Sequence, residues 1–344
     1  MDLKAIDLVF HFGNIFSLTP PSAKLKRNLS CHQRMYSFCL FAILTTYIFY
    51  NTIVRRTVYS RLSVTQLIMA ILTTTAYCLH NSYIFITMKI YKHTKWIKLV
   101  ECLGTTQCHK NKLKIYYIQF VMSQVVVLTL IIAGNAVDSF FLDFNSVLAN
   151  VMVCTETYLQ LFDASLRCTI LEMLLSRFKY QNYLLTQASL QKLEYHSYLN
   201  TMRRTKYNIL ILKNAVKIYN DIFGWTTLLN IFTTSIRTLL DIDIFMKTDI
   251  SLNLCGVFAN IFLCDSILKE YEDTLMLACK LENCLHQDIL YGSKNFKSLA
   301  DILWQNRFEF NTARFFSINK STLFGILYVM VTFLIVIIQF KMNL

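Results

Sequence analysis

The sequence predicts an all-α, polytopic membrane protein, and three observations carry that prediction. Hydrophobic residues make up 55% of the 344 and charged residues only 16%, whereas soluble domains carry about 25% charge. Apolar segments of the roughly 20 residues that a bilayer requires recur between blocks of Lys and Arg. Two prolines and seven glycines leave too little turn material for a transmembrane barrel, which needs many short strands punctuated by turns.

Taken in order, residues 1–35 hold Asp2, Lys4, Pro20-Pro21 and a basic cluster at Lys24, Lys26 and Arg27, with no apolar signal core, and are expected in the cytosol. Span one covers about 36–54 and stops at Arg55-Arg56; span two covers about 64–88, between Arg61 and Lys89. Lys89, Lys92, Lys95 and Lys98 then repeat at three-residue spacing, as on the solvated face of a helix leaving the membrane. Span three is about 115–137, and after a short acidic loop Asn145 or Ser146 caps span four. The fourth helical pattern runs from near 146 past 175 towards 193, longer than a bilayer is thick, so part of it must protrude.

Span five is about 218–240 and span six about 252–268. Beyond it Tyr271, Leu275, Ala278, Leu281, Leu285 and Ile289 keep a near-heptad spacing. After Gly292-Ser293 an apolar stripe of Phe296, Leu299, Leu303, Trp304 and Phe308 precedes span seven. The chain thus divides into a cytosolic segment (1–35), six spans with their extensions (36–268), cytosolic anchor helices (269–314) and a terminal helix (315–344). The protruding helices are expected to bundle together, within or across subunits.

Orientation follows from charge. Of the 34 Lys and Arg residues, 26 lie in segments 1–35, 88–114, 176–217 and 269–314, and five in the opposite loops and tail (Arg55, Arg56, Arg61, Lys247, Lys341). That imbalance puts the amino terminus in the cytoplasm and Leu344 outside after seven crossings, the reverse of a G-protein-coupled receptor. The net charge of +13 is then a signature of topology and does not point to nucleic acid, because the basic residues sit between spans and do not share one domain.

In the last span no residue from 323 to 340 is charged. Val329, Thr332, Val336 and Gln339, with Phe340 beside them, fall at i, i+3, i+7 and i+10 and share a helix face. An amide facing lipid tails would lack hydrogen-bond partners, at a cost of about a few kcal/mol. Copies of this helix around an axis would line a narrow hole with an amide ring and apolar constrictions; an interfacial amide at a helix end is the alternative.

The stretch Thr332-Phe333, five hydrophobic residues, then Gln339-Phe340 resembles the carboxy-terminal signature of insect gustatory receptors, and the preceding run 315–324 is similar to the one found there. The match spans about 28 residues, and Phe333 stands where that family usually has Tyr. The resemblance implies a subunit of a ligand-gated, non-selective cation channel in the plasma membrane of chemosensory neurons. It implies homo- or hetero-tetramers whose seventh helices form the pore, a small-molecule tastant bound within spans two to six, permeating cations and surrounding lipid as partners, and no cofactor. Sugar-sensing branches often carry an acidic residue after the motif aromatic; Leu334 here favours bitter or other non-sugar compounds. A metabotropic seven-helix receptor is the alternative reading, and a transporter would require inverted repeats that the span spacing lacks.

Ionisable groups within spans normally face protein or water. Glu156, Gln160, Asp163 and Arg167 fall at i, i+4, i+7 and i+11 on one face of span four, with Asp163 and Arg167 spaced to pair. That face is either a structural polar seam or a ligand cavity. Asn230, Thr234 and Arg237 in span five, Thr73 and Tyr77 in span two, Asn135 in span three and Asn150 in span four lie in comparable outer positions. Together they suit a pocket with aromatic walls and a few polar anchors. Cys102, Cys108 and His109 lack a fourth ligand at zinc-type spacing, the glycosylation patterns at Asn28 and Asn319 fall on the cytosolic side, and no catalytic frame supports an enzyme.

Overall fold

A computed structural model describes residues 3–15, 19, 31–54, 64–106, 112–139, 144–190, 195–245, 252–288 and 299–342. Almost all of them are helical. In chain order the helices are α1 (Leu3–Ile15), α2 (Cys31–Val54), α3 (Val64–Ser82), α4 (His93–Thr105), α5 (Lys112–Ser139), α6 (Phe144–Leu190), α7 (Tyr195–Phe245), α8 (Leu252–Asp288), α9 (Leu299–Gln305) and α10 (Lys320–Met342). Residues 140–143 of the acidic loop after span three, the basic cluster at Lys24 to Arg27 and the Gly292-Ser293 break lie outside the described residues.

The framework is three long helices. With 47, 51 and 37 residues, α6, α7 and α8 are about 70, 77 and 55 Å long at 1.5 Å per residue, well beyond the roughly 30 Å core of a bilayer. The sequence pattern had asked for such protrusion on α6 and α8. Their most extensive contact is α6 on α8, with α5 and α7 also against α6, and α3 and α4 against α7. The near-heptad run on α8 is the buried edge: Tyr271, Leu275, Ala278 and Leu281 all face the bundle.

At the α4 end of the bundle a chain of aromatic rings ties five helices and the segment before β1 together. Phe10 of α1 meets Trp96 of α4 and Trp96 meets Phe223 of α7, each at 5.2 Å between centroids. Tyr219 continues from Phe223 to Phe310, Phe310 to Phe308, and Phe308 to Tyr271 of α8 at 4.7 Å. Tyr271 closes on Phe178 of α6 at 6.3 Å. Edge-on pairs of this kind add about 0.5–1.5 kcal/mol each beyond their buried area.

Three expectations need correction. Span two does not run smoothly into a single exit helix: α3 passes into a nine-residue π-helical stretch, Tyr83–Tyr91, which ends with the Lys92 N–H on the Thr87 carbonyl at 3.0 Å. A wider turn shifts the register without changing residue type, so the apolar pattern does not announce it. The exit helix α4 then starts afresh, burying Trp96, Leu99, Val100 and Leu103; of the described lysines on the expected solvated face only Lys98 is exposed, while Lys92 and Lys95 are half-buried against Asp221 of α7.

The chain is also not purely helical, and the terminal helix begins at Lys320 instead of 315. Asn311–Thr312 and Phe316–Ser317 form a small antiparallel hairpin, β1 and β2, pairing Asn311 with Ser317 and Thr312 with Phe316. The Phe315 N–H closes it on the Thr312 carbonyl at 2.8 Å. Ala313 and Arg314 take φ of 49° and 68°, angles that side-chain-bearing residues rarely adopt. Gly224 of α7 permits this: a Cβ there would sit 2.8 Å from the Ala313 nitrogen.

Among the described residues, the stripe expected between 296 and 308 is helical in α9 and irregular from 306, and Phe296 lies outside them. Leu299 and Leu303 are buried, but Trp304 is 62% exposed, its ring covered by the Arg307 guanidinium at 4.6 Å. An amphipathic helix, α1, also occupies the amino-terminal segment and buries Val9 and Phe10.

Among the described residues no helix is long and apolar enough to cross a membrane. The uncharged run 323–340 includes Phe333, Leu334, Val336, Ile337, Ile338 and Phe340, whose side chains lie outside the described residues.

Candidate ligand site and terminal helix

Arg237 joins three helices. Its Nη1 donates to the Tyr77 hydroxyl of α3 at 2.9 Å and to Thr157 Oγ1 of α6 at 3.0 Å. Tyr77 is buried and Arg237 half-buried, so one guanidinium on α7 holds α3 and α6 at fixed distance. Asn230 and Thr234, both buried, pair one turn apart on α7, Thr234 Oγ1 donating to Asn230 Oδ1 at 3.3 Å. Thr73 is buried but turns its hydroxyl onto its own helix, donating to the Met69 carbonyl at 2.8 Å. Gln160 is buried on α6. The side chains of Asn135, Asn150 and Glu156 lie outside the described residues.

Deeper in the same seam sits a buried ionic cluster. Asp163 and Arg167 pair at 3.1 Å as their spacing implied, both fully buried. The guanidinium lies off the line of a good hydrogen bond to that carboxylate, so the contact is chiefly ionic, and Arg167 directs Nη1 instead to Thr227 Oγ1 of α7 at 3.0 Å. His80 of α3 places Nε2 3.8 Å from the same carboxylate. Neither Asp163 oxygen is in hydrogen-bond geometry with a donor among the described residues, which leaves lone pairs that buried carboxylates normally satisfy.

Sequence reasoning missed His80, Thr157 and Thr227. Two had a usable signal: His80 follows Tyr77 at i+3, and Thr157 precedes Gln160 at the same spacing. Thr227 had none, since a threonine in a span is commonplace.

The terminal helix is capped by its own sequence. Asn319 Oδ1 accepts the Thr322 N–H at 3.1 Å while Thr322 Oγ1 accepts the Asn319 N–H at 3.3 Å, the reciprocal pattern of a capping box. From there α10, 23 residues and about 34 Å long, touches the body along one stripe, Leu323, Ile326 and Met330. Met330 packs on Met69 of α3 and Leu239 of α7. Most of its other described side chains are exposed: Phe324 is 67% exposed, Tyr328 73% and Val329 61%. Thr332 and Gln339 are exposed as well, while the side chains of Phe333, Val336 and Phe340 lie outside the described residues.

This largely helical fold is similar to that of solved insect olfactory receptor structures. The structure of olfactory receptor OR5 from Machilis hrabei in complex with eugenol superposes with a TM-score of 0.59 over 98% of this chain and 97% of that one, at 16% identity. Another structure of the same receptor gives 0.54 over the same shares, at 14% identity. At such identity the likeness shows the fold alone. No protein-family model matches the chain, and no curated protein does.

Proposed function

We propose that the chain is a gustatory-receptor-like subunit of a ligand-gated, non-selective cation channel in the plasma membrane of chemosensory neurons. The observation that carries this reading is α10, uncharged from 323 to 340 and exposed at most of its described side chains, at the end of a chain with the insect olfactory receptor fold. An apolar helix left exposed on most of its surface needs lipid or copies of itself to cover it. Four subunits around an axis would cover part of it and turn Val329, Thr332, Val336, Gln339 and Phe340 towards a common pore.

The ligand is a small-molecule tastant held between α3, α6 and α7. Tyr77, Arg237, Asn230, Thr234, Thr73 and Gln160 form its polar lining, with Asn135, Asn150 and Glu156 from the same sequence pattern. Support comes from Arg237, which bridges all three helices, and from the olfactory receptor solved with eugenol, a small phenol. The four segments 1–35, 36–268, 269–314 and 315–344 serve as cytosolic lead, ligand-binding body, anchor and pore. Ligand must bind the open state more tightly than the closed one, because equal affinity shifts nothing.

The test is whole-cell recording from cells expressing this chain alone against a panel of bitter and other non-sugar tastants. A tastant-evoked cation current that Arg237→Ala abolishes or right-shifts supports the reading. Responses that require a G protein and survive loss of α10 overturn it.

A further inference from the structure

The π-helical stretch, the middle of α7 and the hairpin before α10 converge on a cavity of about 440 Å³, lined by Lys92, Lys95, Lys217, Asp221, Trp225 and Arg314 among others. Four cations thus face one carboxylate. Lys95 takes that carboxylate, its Nζ 2.9 Å from Asp221 Oδ2. Lys92 donates to neutral groups, the Tyr83 hydroxyl and the Asp221 carbonyl. Burial and the neighbouring Lys95 pull its ammonium down to about 8, so this cation is short of negative charge. Lys217 and Arg314 are exposed and, among the described residues, neither is in an ion pair.

Arg314 is brought to the rim by a left-handed backbone at φ 68°, in a turn pressed on α7 at Gly224. Non-glycine residues in that region persist only where their surroundings impose it. All four cations come from segments that the charge count assigns to the cytosol, and two of them, Lys92 and Lys217, lie within about four residues of a span end. Trp225, stacked edge-on against Phe315 at 5.8 Å, supplies the amphipathic ring common at membrane interfaces.

We propose that this cavity binds a polyphosphorylated anion of inositol-headgroup size, presented at the cytosolic surface, whose phosphates bridge Lys92 and Lys217 to Arg314. Several cations converging on one space match more than one negative charge, and a guanidinium meets phosphate through paired N–H donors. The cavity volume suits a small ring. Basic pockets between membrane helices on the cytosolic side are where phosphorylated lipid headgroups bind. An occupant ties the hairpin, and with it the start of α10, to α4 and α7. The cytosolic assignment rests on the proposed membrane orientation; the cation cluster does not.

The full chain in phosphatidylcholine nanodiscs is titrated with a fluorescent short-chain phosphatidylinositol bisphosphate, with soluble inositol trisphosphate and with inorganic phosphate. Saturable binding is expected, weakened roughly thirtyfold in Lys217→Gln/Arg314→Gln, since each surface cation contributes about fivefold in affinity. Both substituted residues are exposed, and an unchanged melting midpoint checks the fold; Lys217→Arg is expected to retain binding. Tighter binding of the lipid identifies a membrane source and equal binding of inositol trisphosphate a soluble one, and either supports the site. Unchanged binding by the double variant, displacement by phosphatidylserine at equal charge, or binding of inorganic phosphate as tightly as the lipid overturns it. The titration needs no current, so a silent channel that still binds fails only the channel reading.

Discussion

The inner ends of α6, α7 and α8 and the terminal helix α10 are built on opposite principles. Phe178, Phe223 and Phe310 are fully buried, and ring meets ring across five helices and the segment before β1. Along α10 one stripe, Leu323 to Met330, touches the body and the opposite surface is open. The bundle is stable within one chain, whereas α10 is held by a cap, a hairpin and a thin seam. The Lys320–Asp265 contact at 3.0 Å adds little, because Lys320 is largely exposed. In the channel proposed above, a helix so loosely bound to its own chain would take its final position from neighbouring copies.

Breaking the bundle should have the largest effect. Asp163→Asn leaves Arg167 buried without its counter-charge, at a cost of about 3–5 kcal/mol, seen as loss of folded protein at the cell surface. Replacing both partners with apolar residues of similar volume should restore most of that stability; equal loss in the double variant would show that the pair does more than compensate itself.

At the junction the effects shrink. Gly224→Ala drives a methyl group into the Ala313 backbone, and overpacking of this kind costs about 1–3 kcal/mol. The melting midpoint should fall, and ligand-evoked current should fall further, because the hairpin sets the start of α10. Asn319→Ala removes one side of the reciprocal cap, a loss of about 1 kcal/mol confined to α10; hydrogen exchange should quicken in its first turn and leave α6 and α8 unchanged.

The smallest effect is a titration. Lys92 holds its proton less tightly in the folded chain, lowered from 10.5 to about 8 by burial and by Lys95. The unfolded chain therefore binds more protons between those values, and stability rises with pH across that window. Lys92→Met should flatten that part of a melting-temperature profile, and amine-reactive labelling of Lys92 should show a midpoint near 8.

Much of the bundle was legible because its causes are local. The length of α6, the near-heptad edge of α8 and the Asp163–Arg167 pair are written in spacing alone; Tyr77 and Arg237, on separate helices, were grouped only by their expected depth in the membrane. The π-helical stretch and the hairpin were not. A π-turn changes register without changing composition. The turn at Ala313-Arg314 has none of the glycine or asparagine that usually marks left-handed backbone; its cause, the bare Cα of Gly224, lies 89 residues earlier. His80 escaped because its partner sits on another helix.

Gln339 tests the central claim most directly. With the amide replaced by a carboxylate in Gln339→Glu, ion-substitution recordings of the tastant-evoked current should show a reversal potential shifted towards divalent cations, since a ring of charge in a narrow pore sets which ions enter. A robust current whose reversal potential is the same in wild type and variant would remove α10 from the conduction path.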